Sequence, residues 1–295
     1  MKKVLFWILG IGVTLLVIGG GVAAFALHNT TSKIHSMDST LSQASDMKTK
    51  SGKSVAYLLL GTDTGALGRN YKGRTDTMMV MVVNPTSKTT TMISIERDTK
   101  IQIDGVDAKL NAAYAYGNSE AAVNAVDKLL NITLDGYLLV NMNSLKQLVN
   151  AVEGVDVNSP LTFDYEGYSF TEGQSYHMDG TQALQFSRMR YDDPQGDYGR
   201  QIRQQLMIES VINKLKDDPS SILSNDFLNV VSDNVRSNIS LTSLRNLATK
   251  YRDSAQTINR DQMTGTGVMI DGVSYQEISQ AEITRVHNEI MNAGK

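Results

Sequence analysis

Four arginines, Arg188, Arg190, Arg200 and Arg203, share the stretch "FSRMRYDDPQGDYGRQIRQQ" (186–205) with Asp192, Asp193 and Asp197, in a chain of 295 residues whose net charge is only −3. Two explanations of this density of fixed charge are open. The aspartates can neutralise the arginines in a solvated salt-bridge network, which contributes little energy. Alternatively, the guanidinium groups converge on a phosphate or pyrophosphate, whose oxygens match their forks bidentately. A helix beginning near Gly199 carries Arg200, Arg203 and Gln204 on one face of its first turn. That end of a helix is already partly positive, so arginines there require an anion or an acidic partner. Arg188 and Arg190 lie two apart and share a face if the segment is extended.

A second group lies in "GTDTGALGRNYKGRTDT" (61–77), where Asp63 follows one apolar run and Asp76 opens the next, just after Arg74. Two carboxylates at strand ends can share a hard cation, and Mg²⁺ takes few carboxylates together with phosphate oxygens. Equally, Asp63 can cap the glycine-containing turn and Asp76 can pair with Arg74. "SIERDT" (94–99) adds Glu96, Arg97 and Asp98, and "KLNAAYAYG" (109–117) adds Lys109 and Asn111. Each passes as a surface feature, although strand ends in α/β sheets are where ligands usually bind. The four histidines have no ligand spacing, and no G-x-S-x-G elbow or Walker loop is present.

These residues need a scaffold. Short apolar β-type runs occupy 55–60, 77–83 and 89–95, the last two joined as a hairpin by "NPTSK". A helix is expected over 119–130, a strand over 136–142, and helices over 143–152, 179–189 and 199–216. Further helices are expected at 220–232, 242–252 and 275–291. Alternating strands and helices indicate α/β architecture, a central mixed sheet flanked by helices in an α-β-α sandwich. No composition boundary follows residue 55, so 55–295 reads as one domain.

Ahead of that domain, Val4 to Leu27 contains no charge. As a helix, its 24 residues reach about 36 Å, enough for a hydrocarbon core of about 30 Å. Ala24-Phe25-Ala26 resembles a cleavage site, but the apolar run exceeds the usual length of the apolar core of a signal peptide, about 7 to 15 residues, which favours an uncleaved transmembrane anchor. Lys2 and Lys3 place residues 1–3 in the cytoplasm and the domain outside the cell membrane. Residues 28–54 are rich in Ser, Thr and Lys and read as a polar stalk or short polar helix. The chain has no cysteine, which excludes disulfides and thiolate chemistry, and its slight net negative charge argues against nucleic-acid binding.

Taken in order, "GTD", "GRTDTMMV", "SIERDT", "KLNAAYAYG", "VEGVDV", "GTQALQFSRMR" and "GDYGRQIRQQ", behind one N-terminal anchor, resemble the LytR-CpsA-Psr family over about residues 55–216. The resemblance implies an extracytoplasmic α/β domain that binds polyprenyl-(pyro)phosphate lipids and transfers their glycopolymers to peptidoglycan in Gram-positive walls. It implies Mg²⁺ on Asp63 and Asp76, and pyrophosphate binding by Arg97, Arg188, Arg190, Arg200 and Arg203. Arg74, Lys109 and Gln204 fall in the same binding motifs; Arg97, Asp98 and Asp197 match the catalytic region, with Asp98 or Asp197 as the candidate base. A lipid tail would need an apolar slot, for which the Met and Leu residues of "LLVNMNSLKQLV" (138–149) are candidates, although their periodicity reads first as core. A non-catalytic lipid-binding regulator and a lipid pyrophosphatase are the alternatives. The chain departs from the family pattern at Glu96, where proline is usual, and at Glu153, where a second glycine is usual.

Overall fold

The computed structural model describes residues 39–62, 73–217, 227, 229–230 and 235–295. The apolar segment 4–27, the first part of the polar segment that follows it, Asp63, and most of the helix expected at 220–232 lie outside the described residues. No described helix is long and apolar enough to cross a membrane.

In chain order the elements are α1 (Ser39–Lys50), β1 (Val55–Thr62), β2 (Thr75–Asn84), β3 (Thr89–Ser94), β4 (Lys100–Ile103), β5 (Val106–Lys109), α2 (Ala112–Tyr116), α3 (Ser119–Leu130), β6 (Gly136–Asn141) and α4 (Met142–Ala151). They continue as β7 (Val155–Asn158), β8 (Phe163–Tyr165), β9 (Tyr168–Phe170), β10 (Ser175–Met178), α5 (Gly180–Arg188), α6 (Asp197–Asp217), β11 (Val235–Ser237) and α7 (Leu241–Lys250). After a 3₁₀ turn, Arg252–Ala255, come β12 (Thr257–Gln262), β13 (Thr266–Ile270), β14 (Val273–Glu277) and α8 (Gln280–Ala293).

The central sheet has the order β11-β6-β1-β2-β3-β12. It is mixed: β1 runs parallel to β6 and antiparallel to β2, and β12 runs parallel to β3. Because both faces are covered, its middle strands are near-continuous apolar runs, and the twofold alternation of side chains divides them between two cores. Tyr57 and Leu59 of β1 join Met79, Met81 and Leu138 on the face that also packs against α4, α5, α6 and α7. Leu58 and Leu60 join Met78, Val80 and Ile93 on the opposite face, beneath α3 and α8. This is the expected α-β-α sandwich.

Several short elements differ from the sequence reading. The expected helix at 275–291 begins only after Ser279, whose side chain accepts from Glu282 N; before it lies the β13–β14 hairpin. That hairpin turns on Asp271-Gly272, both at positive φ, as β4–β5 turns on Asp104-Gly105 and β8–β9 on Glu166-Gly167. Two consecutive left-handed residues match the right-handed twist of the flanking strands, which is why these pairs end in glycine.

Of the two readings of the polar segment 28–54, the short polar helix is present, and it is docked on the domain. Residues 39–50 form α1, which packs on α7 with Ser45 and Thr49 buried. Ser45 Oγ lies 2.8 Å from Tyr57 Oη and 3.1 Å from Ser243 Oγ. Asp46 accepts from Ser243 N (3.1 Å) and Ser243 Oγ (2.6 Å), and Lys48 pairs with Asp135 at 2.7 Å. The low hydrophobicity of α1 conceals this docking, because the contacts of its described side chains Ser45, Asp46, Lys48 and Thr49 are polar.

Candidate active site

The C-terminal ends of β1 and β6 meet the N-terminal end of β2, and the described residues there enclose a cavity of about 280 Å³. The pairing of β1 with β2 slips at this edge: Gly61 faces Thr77 but Thr62 faces Thr75, which leaves Asp76 as the extra residue of a bulge. Bulges re-aim side chains, and this one places Asp76 on the cavity wall. Gly61 passes close to Thr77, whose side chain a Cβ on Gly61 would meet at 2.9 Å.

α6 supplies the opposite wall. It starts at Asp197, two residues earlier than expected, and Arg200, Gln204, Met207 and Ile208 form the stripe that lines the cavity. At 100° per residue, Arg203 lies about 85° from the centre of that stripe. It is accordingly not on the cavity. Arg203 is only 1% exposed, with Nε donating to Phe186 O (3.0 Å), Nη1 to Asp193 and Nη2 to Met189 O. Its guanidinium also stacks 5.1 Å from the Phe163 ring centroid. The expectation of a pyrophosphate ligand is corrected here: Arg203 clamps the 186–193 segment onto α6 and so positions the arginines on that segment.

Those arginines do reach the cavity. Arg188 ends α5, Met189 adopts an extended conformation (φ −53, ψ 137) and is fully buried, and Arg190 follows, so the two-residue spacing puts both guanidiniums on the cavity wall. Arg190 lies 3.7 Å from Asp197, Arg97 lies 3.5 Å from it, and Arg200 Nη2 lies 3.0 Å from it. Arg97 also pairs with Asp76, and Arg200 Nη2 donates to Asp76 O at 2.9 Å. Since Arg97, Arg190 and Arg200 all reach Asp197, the cavity's cationic groups are clustered at one place. Arg188 is bonded to no carboxylate among the described residues.

Burial lowers the Arg97 pKa, but the carboxylates of Asp197 and Asp76 overcome this and leave it above the ordinary value. Burial prevails at Arg200, whose pKa falls despite Asp197. Both remain guanidinium ions. Behind them Glu96, 1% exposed, is pushed up to about 7, first by burial and then by the neighbouring Asp197 carboxylate.

The other expected residues are dispersed. Lys109 pairs with Asp98 at 3.0 Å, and neither lines the cavity. Arg74 is exposed and also lies off it. Gln204 lines it, with Oε1 accepting from Thr77 Oγ1 at 3.0 Å. The "LLVNMNSLKQLV" segment divides: Val140, Asn141 and Leu145 line the cavity, whereas Leu138, Leu148 and Val149 are core. Leu59, Leu184, Met207 and Ile208 complete an apolar wall. Tyr165 and the 87%-exposed Tyr191 also line it and were not anticipated. Tyr165 sits on β8, which is too short to show periodicity.

No group of three or more His, Asp or Glu among the described residues is arranged to hold a metal. A divalent cation that takes one or two carboxylates and completes its shell with substrate oxygens needs no such cage. Asp76, on the cavity wall beside the guanidinium cluster, fits that donor set.

Residues 22–292 match the LytR_cpsA_psr family model. The chain is 43% identical to the polyisoprenyl-teichoic acid--peptidoglycan teichoic acid transferase TagU of Enterococcus faecalis, over 99% of this chain and 97% of that protein. Protein gbs0355 from Streptococcus agalactiae has the same fold, with a TM-score of 0.74 and 37% identity over 83% of this chain and 89% of that one. A structure of TagT bound to LIIa-WTA superposes with a TM-score of 0.67 at 26% identity, over 82% of this chain and 91% of that one. On the extent of the family match and the end-to-end identity to a curated relative, this chain belongs to the LytR_cpsA_psr family.

Proposed function

We propose that the protein is a membrane-anchored phosphotransferase that moves a glycopolymer, of the teichoic acid type, from a polyprenyl-pyrophosphate carrier to peptidoglycan during cell-wall assembly. The observation that carries this reading is the composition of a single cavity. Clustered guanidiniums from Arg97, Arg188, Arg190 and Arg200 adjoin a wall of Leu59, Val140, Leu145, Leu184, Met207 and Ile208. Such a surface suits one molecule with an anionic head and a hydrocarbon tail. The relatives named as teichoic acid transferases support the same chemistry.

In this reading an acceptor hydroxyl of peptidoglycan attacks the phosphorus nearest the glycan. A P–O bond to the acceptor forms, the bridging P–O bond breaks, polyprenyl phosphate leaves, and the hydroxyl proton passes to a carboxylate base. The arginines hold the pyrophosphate oxygens and stabilise the charge that develops on the leaving group. Asp76, with Asp63, would hold Mg²⁺, which when bound neutralises phosphate charge. Of the two candidate bases, Asp98 is turned towards Lys109, whereas Asp197 contacts three cavity arginines and holds them together. The segment 4–27 tethers the domain outside the cell membrane, where both lipid carrier and peptidoglycan are accessible.

The test is transfer of labelled polymer from a lipid-linked donor to peptidoglycan by the full-length protein in detergent with Mg²⁺. Product that is lost on Asp76→Ala and on Arg188→Ala supports the reading. Release of polymer phosphate into water without linkage to peptidoglycan would make the protein a lipid pyrophosphatase instead.

A further inference from the structure

We infer that Glu96 is a positioning residue for the arginine cluster, and that gain or loss of its proton sets how tightly the cluster holds a pyrophosphate. This rests on the cavity being a pyrophosphate site.

Glu96 lies just beyond β3, immediately before Arg97, and does not line the cavity. Its Oε2 accepts from Gln201 Nε2 at 2.6 Å and its Oε1 from Asp98 N at 3.2 Å. Gln201 follows Arg200 and lies one helical turn beyond Asp197. Glu96 therefore ties the loop that carries Arg97 to the first turn of α6, which carries Asp197 and Arg200. Both walls of the cationic cluster are joined through one buried carboxyl group.

The charges around it make its protonation state matter. From α6 it faces Asp197, Tyr198 and Arg200, and from its own loop Arg97 and Asp98. Asp76 of β2 pairs with Arg97, and Lys109 of β5 neutralises Asp98. Among the described residues, with Glu96 ionised, the three ion-paired arginines, Arg97, Arg190 and Arg200, are offset by three carboxylates, Asp76, Asp197 and Glu96, which leaves Arg188 as net cation. With Glu96 protonated, the cluster carries one more positive charge. Gln201 can serve both states, because its amide can donate to the carboxylate or, turned end for end, accept from the acid. Burial and Asp197 put the midpoint at about 7.

The sign follows from linkage. A bound anion favours the protonated acid, so binding takes up a proton. Affinity is then highest below about pH 7, falls as pH rises above it, and levels once Glu96 is ionised in the complex as well. One unit charge added to the cluster should change affinity by about ten-fold.

The experiment is calorimetric titration of the full-length protein in detergent with geranylgeranyl pyrophosphate between about pH 6 and pH 9, comparing wild type with Glu96→Gln. The ligand's own ionisation is common to both and cancels. Wild type should lose about ten-fold in affinity relative to Glu96→Gln across this range, with the two converging at the acid end. Glu96→Ala also lacks the titrating group and serves as the second variant if the glutamine protein does not fold. Parallel profiles in wild type and variant overturn this inference alone. Absence of binding by wild type at every pH overturns it together with the site reading.

Discussion

Arg203 Nη1 donates to Asp193 in an ion pair almost without solvent, the two side chains being 1% and 5% exposed. Gly199 makes room for it, since a Cβ at that position would meet Asp193 Oδ2 at 1.9 Å. Removing one partner of a buried pair strands the other's charge, so Arg203→Met should cost about 3 kcal/mol in urea denaturation. In a double-mutant cycle, Asp193→Asn combined with Arg203→Met should cost less than the sum of the single changes.

Arg188 should behave in the opposite way. It lines the cavity without a carboxylate partner among the described residues. Arg188→Ala should change stability by no more than about 0.5 kcal/mol, yet lower transfer to peptidoglycan by roughly 100-fold, as expected for loss of a charge that stabilises a leaving group. Comparison of melting curves and turnover for the two arginine variants separates a clamp from a ligand-binding residue.

Glu96 should make stability depend on pH. Its pKa in the folded protein, about 7, stands above the ordinary 4.5. The native state therefore binds more protons than the unfolded chain between those values, and stability falls as pH rises through that window. Relative to Glu96→Gln, wild type should lose up to about 3 kcal/mol between pH 4.5 and pH 7, with little further change above. Urea denaturation of both proteins at pH 4.5, 6 and 8 measures it.

Asp46 tests the docking of α1. It accepts from the backbone and side chain of Ser243 in the first turn of α7, and from Ser240. Asp46→Ala removes a helix-capping acceptor and leaves the Ser243 hydroxyl without that partner, for a loss of about 1–2 kcal/mol in thermal or urea denaturation. An unchanged stability would mean that α1 is not held against the domain in solution.

Glu153, where the family usually has glycine, occupies a left-handed conformation with φ 62, followed by Gly154 at φ 89. A side chain at such a position is strained, and glycine relieves the strain while losing more entropy on folding. Glu153→Gly should on balance stabilise the protein by about 0.5–1 kcal/mol, read as a higher urea midpoint.

How legible the protein was depended on the length of each pattern. The helix over 119–130 has the expected bounds, because twelve residues show helical spacing clearly and Asn118 and Asn131 mark its ends. Doubly buried strands such as β1 and β2 were visible as apolar runs. The β4–β5, β8–β9 and β13–β14 hairpins were missed, although Asp104-Gly105, Glu166-Gly167 and Asp271-Gly272 offered the turn signal. Strands of three to five residues carry too little alternation to stand out.

By itself the amino-acid sequence determined the sandwich architecture, the family, and the segment in which cationic groups gather, since each of these rests on residue types and on periodicities that local geometry imposes. Only the tertiary structure decided which arginines face the cavity. Arg200 and Arg203 look equivalent as neighbours on one helical turn, but the helix can present only one stripe to the cavity, and its orientation is set by packing against β3, β12 and the 186–193 segment. The same holds for the carboxylates. Asp193 and Asp197 are alike in sequence, yet one is buried beneath α6 with Arg203 and the other gathers Arg190 and Arg200 with Arg97 at the cavity, because Arg97, a hundred residues away, meets Asp197 only when the sheet and helices pack.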